Sequence, residues 1–208
     1  MKFWSLLYRL FTKDNKQTPP MKKYLIVGLG NIGSTYVNTR HNIGFKILNT
    51  LAATENVKFS TKKLGDIASF KFKGRTFILL KPSTFMNLSG KAVKYWLTKE
   101  KIALENVLIV CDDLNISFGT FRLKPKGSAG GHNGLKDINE VLQTQKYPRF
   151  RFGVGAEFKK GRQVDYVLGK WNTDETDKLT ERIDKATKLI KYFGTAGVAN
   201  TMSEFNGN

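Results

Sequence analysis

The stretch YLIVGLGNIG, residues 24–33, decides the fold. Its opening, Tyr24–Leu29, is a short unbroken apolar run, the pattern of a strand covered on both faces rather than one. The glycines that follow satisfy G-x-G-x-x-G, a spacing that in dinucleotide-binding proteins leads directly into a helix whose N-terminal amides meet a pyrophosphate. The surroundings do not fit that ligand. Nine polar-rich residues, Ser34 to Asn42, separate the last glycine from the next helical pattern at Gly44–Ala53. A ribose-binding acid is expected about 20 residues past the motif, yet Asn56–Lys63 contains no acid and ends in Lys62 and Lys63. Lysines would suit a phosphorylated ribose, which keeps a dinucleotide oxidoreductase as a rival. The better reading is a tight glycine turn that lets backbone approach a ligand closely.

Outward from this strand, apolar runs and helical periodicities alternate. Ile67–Lys73 and Thr76–Leu80 flank Gly74 as a hairpin, Ala92–Lys99 is helical, and Val107–Cys111 is a second buried strand ending on Asp112 and Asp113. Leu135–Gln143 is helical, Phe150–Val154 is a strand, and a long helix occupies about Thr176–Phe193. The order predicts a single α/β domain over residues 21–208, with a mixed, mostly parallel sheet flanked by helices on both faces. In such folds ligands bind at the carboxyl ends of strands, here Gly28–Asn31 and Asp112–Asn115. Residues 1–20 differ. Phe3, Leu6, Leu7, Leu10 and Phe11 line one helical face and Lys16–Pro20 reads as a linker, so this is an amphipathic N-terminal extension. Arg9 breaks its apolar stretch and no cleavage site follows, against a secretory signal. A membrane-surface helix, an organellar targeting segment and an over-long start, with Met21 as a second start, stay open; a dispensable extension is the preferred reading.

The chain carries 35 Lys and Arg against 17 Asp and Glu, a net charge of +18 over 208 residues. That exceeds the ~2–8 usual for a small domain and points to a polyanion, nucleic acid before membrane. The excess is local. Residues 174–193 are balanced, with five acids and five bases, whereas residues 117–163 hold ten bases against three acids. The aromatics Phe118, Phe121, Tyr147 and Phe150 interleave with those bases, as on surfaces that track phosphates. The lone Cys111 lies in an apolar run, which suits a buried thiol in a reducing compartment. One Cys and two His cannot make a zinc site of ordinary composition.

Both histidines lie among glycine and asparagine, at Thr39-Arg40-His41-Asn42 and Gly130-Gly131-His132-Asn133-Gly134. Asp112 ends a buried strand, where an unpaired carboxylate would be costly, and His41 on the neighbouring strand's loop is its natural partner. Such a pair fixes one imidazole tautomer and leaves the other nitrogen free to take a proton from water. No nucleophile competes: there is no G-x-S-x-G elbow, and Ser128 has no base beside it in sequence. Two histidines with Asp112 could instead form a facial metal triad, a further alternative. Asn31, Asn87 and Asn133 sit in loops, and a carboxamide can both read a peptide group and donate to an oxyanion; each also suits an ordinary turn.

Five blocks, GLGNIGSTYVNTRHNIGF (28–45), KPSTFMNLSG (81–90), VCDDLNISFGTFRLK (110–124), GSAGGHNGLKDI (127–138) and FRFGVG (150–155), resemble the bacterial-type peptidyl-tRNA hydrolase family in order and spacing, from Met21 to about Ala199. The resemblance implies one α/β domain with a twisted mixed sheet and cleavage of the ester between a peptide and the 3′ ribose of tRNA, recycling tRNA from aborted translation. It implies His41 as catalytic base, Asp112 as its orienting group, and Asn31, Asn87 and Asn133 on the substrate, with Asn31 the first choice for the oxyanion. Tyr36 and Met86 would line the peptide and terminal-adenosine end, and Arg122, Lys124 and Arg151 would hold tRNA phosphates. His132 would be structural or act behind the other groups. The implied enzyme is a cytoplasmic monomer with peptidyl-tRNA as partner, no metal and no cofactor. Ile32 stands where many members have proline, Phe85 where tyrosine is frequent, Asn115 where an acid is common and Lys126 where glycine is common. A non-enzymatic RNA-binding protein would explain the charge but not the histidine, aspartate and asparagine set.

Overall fold

A computed structural model describes residues 22–207; the amphipathic extension expected over residues 1–20 lies outside them. The apolar run becomes β1 (Lys23–Gly28), which pairs in parallel with β4 (Arg75–Pro82) on one side and β5 (Val107–Asp113) on the other. Beyond β5, β7 (Arg149–Gly153) is again parallel. The margins are antiparallel: β2 (Ser60–Lys62) on β3 (Gly65–Phe72), β3 on β4, and β6 (Phe121–Lys124) on β7. The order is β2-β3-β4-β1-β5-β7-β6, so the parallel part of the mixed sheet is its central four strands. The hairpin at Gly74 turns through Lys73 and Gly74, both at positive φ (45° and 71°), the backbone that matches strand twist in a two-residue loop.

Side chains alternate across the sheet and fill two cores. On one face Ile26, Phe77, Leu108 and Phe150 meet α1 (Ile43–Thr54) and α5 (Thr173–Phe205) through Ile47, Leu51, Ile183 and Ile190. On the other, Leu25, Val27, Leu80 and Ile109 meet α2 (Ser89–Glu100) and α3 (Asn133–Leu142) through Val93, Trp96, Leu135 and Ile138. A short α4 (Gln163–Val167) precedes α5. The long helix runs further than its periodicity predicts, because Gly197 at φ 81° breaks it and the helical pattern then resumes to Phe205. Among the described residues, no helix is long and apolar enough to cross a membrane.

The glycine turn makes close contact with helix α1. A Cβ on Gly28 would lie 2.5 Å from the Gly44 carbonyl oxygen, and one on Gly30 would lie 2.7 Å from the Phe45 ring. Gly28 and Gly30 admit the protein's own helix α1, and of the three glycines only Gly33 has a positive φ, at 102°. Gly44 is tighter still, with Leu29 N and O at 2.5 Å from such a Cβ and Val110 O at 2.6 Å. That contact seats the N-terminus of α1, and with it the preceding residue pair His41-Asn42, against the ends of β1 and β5. Gly44→Ala forces overpacking against backbone that has no rotamer to yield and should cost about 1–3 kcal/mol or more. Denaturant unfolding measures it, and an unchanged midpoint would contradict this role.

Candidate active site

Because β1 and β5 are parallel neighbours, the loops after them emerge at the same edge of the sheet. Asp112, near the end of β5, is buried, and His41 sits in the 3-10 turn Arg40–Asn42 that follows the β1 loop. His41 Nδ1 lies 2.8 Å from Asp112 Oδ1, and His132 Nε2 lies 3.1 Å from the same oxygen. The backbone settles which protons are where. His132 caps α3, its Nδ1 accepting from the amides of Gly134 (3.1 Å) and Leu135 (3.3 Å). Its proton is therefore on Nε2, donated to Asp112. His41 donates Nδ1–H to the same oxygen, which leaves its Nε2 lone pair without a protein partner among the described residues.

The electrostatics follow from burial and this shared oxygen. Burial works to raise the Asp112 pKa, but the His41 and His132 rings and their hydrogen bonds overcome it and hold the carboxyl well below the usual carboxylate range. For His41, burial lowers the pKa and is the largest single influence, yet the charge and hydrogen bond of Asp112 together outweigh it and raise the imidazole above its ordinary value. Cys111, the residue before Asp112, is fully buried and its thiol is pushed far up by that burial, so it offers no thiolate nucleophile.

His41, Asp112, His132, Asn133 and Arg151 line one cleft of about 360 Å³, walled on the far side by Gln163, Val164 and Val167 of α4. Asn31 lies outside that lining but is built for a defined orientation. Its Oδ1 accepts the Met86 amide at 2.7 Å, which turns its Nδ2 donor elsewhere. Its backbone N–H and C=O are both taken by the Asn42 carboxamide, at 2.8 and 2.9 Å. Met86 in turn lies against Gly134, where a Cβ would be 2.7 Å from its sulfur and 3.1 Å from His132 Cε1. Asn31 is thus linked through Met86 to the start of α3, the helix whose first residue, Asn133, lines the cleft. Asn87 and Asn133 are exposed, and Tyr36 is half-buried in the turn Ser34–Tyr36.

The basic residues divide. Arg122 pairs across the β6–β7 ladder with Arg151, and Lys124 with Arg149, so all four share a face. Arg122 and Lys124 are exposed. Arg151 forms an ion pair with Asp113 at 2.7 Å and donates to the Ser128 carbonyl at 2.8 Å. Arg149 is fully buried and donates to the carbonyls of Gly127, Ser128 and Gln145. These two arginines hold the glycine-rich loop that delivers His132 and Asn133.

Asn42, Arg149 and Arg40 carry weight that the sequence reading did not give them. Arg40 meets Glu175 through two bonds, Nε–Oε1 at 3.1 Å and Nη2–Oε2 at 2.6 Å, and donates from Nη1 to the Lys170 carbonyl at 2.7 Å. Glu175 also completes the capping box of α5 with Asn172, so one carboxylate ties the loop bearing His41 to the start of the last helix. The one available signal was position: Arg40 and Asn42 flank His41.

His41, Asp112 and His132 offer three potential metal-ligand atoms within 4.8 Å of one another. A cation on His132 Nε2 would leave both nitrogens of that ring as acceptors, since Nδ1 already receives two amides. That demands an imidazolate, which counts against a metal triad here. Arg40→Ala removes the counter-charge of the buried Glu175 carboxylate, leaving it the Asn172 amide, and should cost about 3–5 kcal/mol; Arg40→Lys, unable to span both oxygens, recovers part of it. Chemical unfolding reads the difference, and a loss below about 1 kcal/mol, the worth of an exposed pair, would show the tether to be incidental.

Comparison with known proteins identifies the family of this chain. The sequence profile of the peptidyl-tRNA hydrolase family matches residues 25–208. The peptidyl-tRNA hydrolase of Parabacteroides distasonis is 55% identical over 184 residues, covering 88% of this chain and 98% of that one. The Porphyromonas gingivalis enzyme of the same name is 54% identical, over 88% of this chain and all of its own length. The crystal structure of peptidyl-tRNA hydrolase from Acinetobacter baumannii superposes with a TM-score of 0.83 at 36% identity, covering 89% of this chain and 95% of that one. By profile, by sequence and by fold, the chain belongs to the peptidyl-tRNA hydrolase family.

Proposed function

We propose that this chain hydrolyses the ester between a peptide and the 3′ ribose of tRNA, with His41 as the base and water as the nucleophile. The observation that carries the proposal is the shared oxygen of Asp112, which holds both imidazoles in fixed tautomers and frees His41 Nε2 toward a cleft. A water hydrogen-bonded to Nε2 gives up its proton to the ring as its oxygen attacks the ester carbonyl. The carbonyl π pair moves onto oxygen, and the resulting oxyanion accepts from Asn31 Nδ2, the donor left free once Oδ1 is bound to Met86. Collapse expels the ribose 3′ oxygen, which takes the proton back from the His41 imidazolium, releasing peptide acid and tRNA.

Asn87 and Asn133 would bind the backbone amide of the peptide, a contact that the free amine of aminoacyl-tRNA cannot reproduce. Tyr36 and Met86 would flank the peptide and the terminal adenosine. Arg122 and Lys124 would contact tRNA phosphates directly; Arg151, committed at one end to Asp113, would contribute chiefly its charge. The protein would act as a cytoplasmic monomer needing neither metal nor cofactor, with residues 1–20 dispensable for catalysis.

General-base assistance is worth about 10²–10⁴-fold. His41→Ala should therefore lose at least a hundredfold in hydrolysis of N-acetyl-aminoacyl-tRNA while tRNA binding survives, and wild-type turnover should persist in chelator. Activity above about a tenth of wild type in the variant would refute the base assignment, given that magnitude, and loss of wild-type activity in chelator would revive the metal reading.

The pH profile gives an independent check. The base must be neutral, so kcat/KM rises with pH through the His41 pKa. Because that pKa is raised, the rising limb should lie above the ordinary imidazole range. Asp112→Asn removes the raising influences and leaves burial, so the limb should move to lower pH as the maximal rate falls. A limb that stays in place would show that Asp112 does not control this ring.

A further inference from the structure

The outer edge of β6 is closed by an element that the mechanism does not use. In an antiparallel pair, successive residues point their backbone N–H and C=O alternately toward the partner strand and away from it. On β6 both outward groups of Leu123 are occupied by one side chain: its N–H donates to Asn206 Oδ1 at 2.6 Å, and its C=O accepts from Asn206 Nδ2 at 3.1 Å. The Gly207 amide then donates to the Phe121 carbonyl at 3.1 Å. A carboxamide followed by one backbone amide stands in for the missing next strand.

How residue 206 reaches this edge can be followed along α5. Gly197, at φ 81° and ψ 171°, breaks the helix, and no atom lies within 4 Å of where its Cβ would be. The glycine is there for its backbone conformation, not for a close neighbour. Thr201 Oγ1 donates to the Gly197 carbonyl at 2.7 Å, starting the second helical piece. Phe205 then anchors that piece in the core beside Tyr192, with ring centroids 5.7 Å apart. The next residue is Asn206.

What β6 presents is Arg122 and Lys124, exposed and flanking Leu123. We infer that Asn206 is a positioning residue for tRNA, holding the edge strand so that Arg122 and Lys124 meet the phosphates together. This rests on the reading that those two side chains contact tRNA, and the experiment separates the two claims.

The test measures tRNA affinity as a function of salt, with kcat and KM, for wild type, Asn206→Ala, the double variant Arg122→Gln/Lys124→Gln, and the triple combination. Losing two neutral hydrogen bonds should weaken tRNA binding about three- to tenfold, raise KM in parallel, and leave kcat within about twofold. The salt dependence should become shallower by up to about two phosphates' worth. In the Arg122→Gln/Lys124→Gln background, Asn206→Ala should add nothing, because the charges it positions are gone.

Wild-type affinity in Asn206→Ala, beside an impaired Arg122→Gln/Lys124→Gln variant, overturns the positioning role alone. Full additivity in the triple variant also overturns it. A fall in kcat as large as the rise in KM would mark general damage to the fold and counts against it too. An Arg122→Gln/Lys124→Gln variant that binds tRNA with unchanged affinity and salt slope removes the phosphate contact itself, and the inference falls with it.

Discussion

A carboxylate buried at the end of a central strand is unfavourable unless strong donors surround it. Asp112 has two, and both arrive at Oδ1 from loops that the fold brings from different places. His41 comes from the loop after β1, adjacent because β1 and β5 run in parallel register. His132 comes from the glycine-rich loop entering α3, and its other nitrogen is committed to capping that helix. The cap makes His132 a one-way donor, which keeps its proton on the side of Asp112. With the carboxylate held charged in this way, His41 has no choice of tautomer, and its remaining nitrogen is available for chemistry. Much of the surrounding structure serves to keep these loops in place: Gly44 lets α1 close on β1, Asn42 fixes the backbone of Asn31, and Arg40 ties the His41 turn to Glu175.

The positive charge divides between structure and surface. The basic run between residues 117 and 163 reads in sequence as one surface, but its arginines on β7 face inward to a loop and a carboxylate. Arg149 is buried as completely as any aromatic residue in the core. Arg122 and Lys124 of β6 extend this face into solvent, and Lys126, Lys136, Lys146, Lys159, Lys160 and Arg162 elsewhere in the run are exposed as well. Net charge overstates the direct phosphate contacts of this part by Arg149 and Arg151 alone, which still add to the long-range attraction of a polyanion.

The elements legible in the sequence were those with strong local signals. Tyr24–Leu29 and Val107–Cys111 are apolar on both faces and could only be central strands; Gly74 between two strand-like runs marked the hairpin. The pairing of His41 with Asp112 was legible because a buried strand-end carboxylate needs a partner and the chain has few histidines to offer. Strand β6 was missed, because Phe121–Lys124 is four residues long and its alternating Arg and Lys looked like a charged face. The extension of α5 past Phe193 was hidden by Gly197, which interrupts helical periodicity. Asn42, Arg40 and Arg149 act through bonds to backbone and side chains distant in sequence, and no periodicity or local motif records such partners.

The proposed role of His41 depends on where two protons reside. Long-range proton–nitrogen correlation spectra of the histidine-labelled protein, recorded at a pH where both rings are neutral, report the tautomer of each imidazole directly. The arrangement around Asp112 predicts His41 protonated on Nδ1 with Nε2 bare, and His132 protonated on Nε2 with Nδ1 bare. A proton on Nε2 of His41, or on Nδ1 of His132, would contradict it.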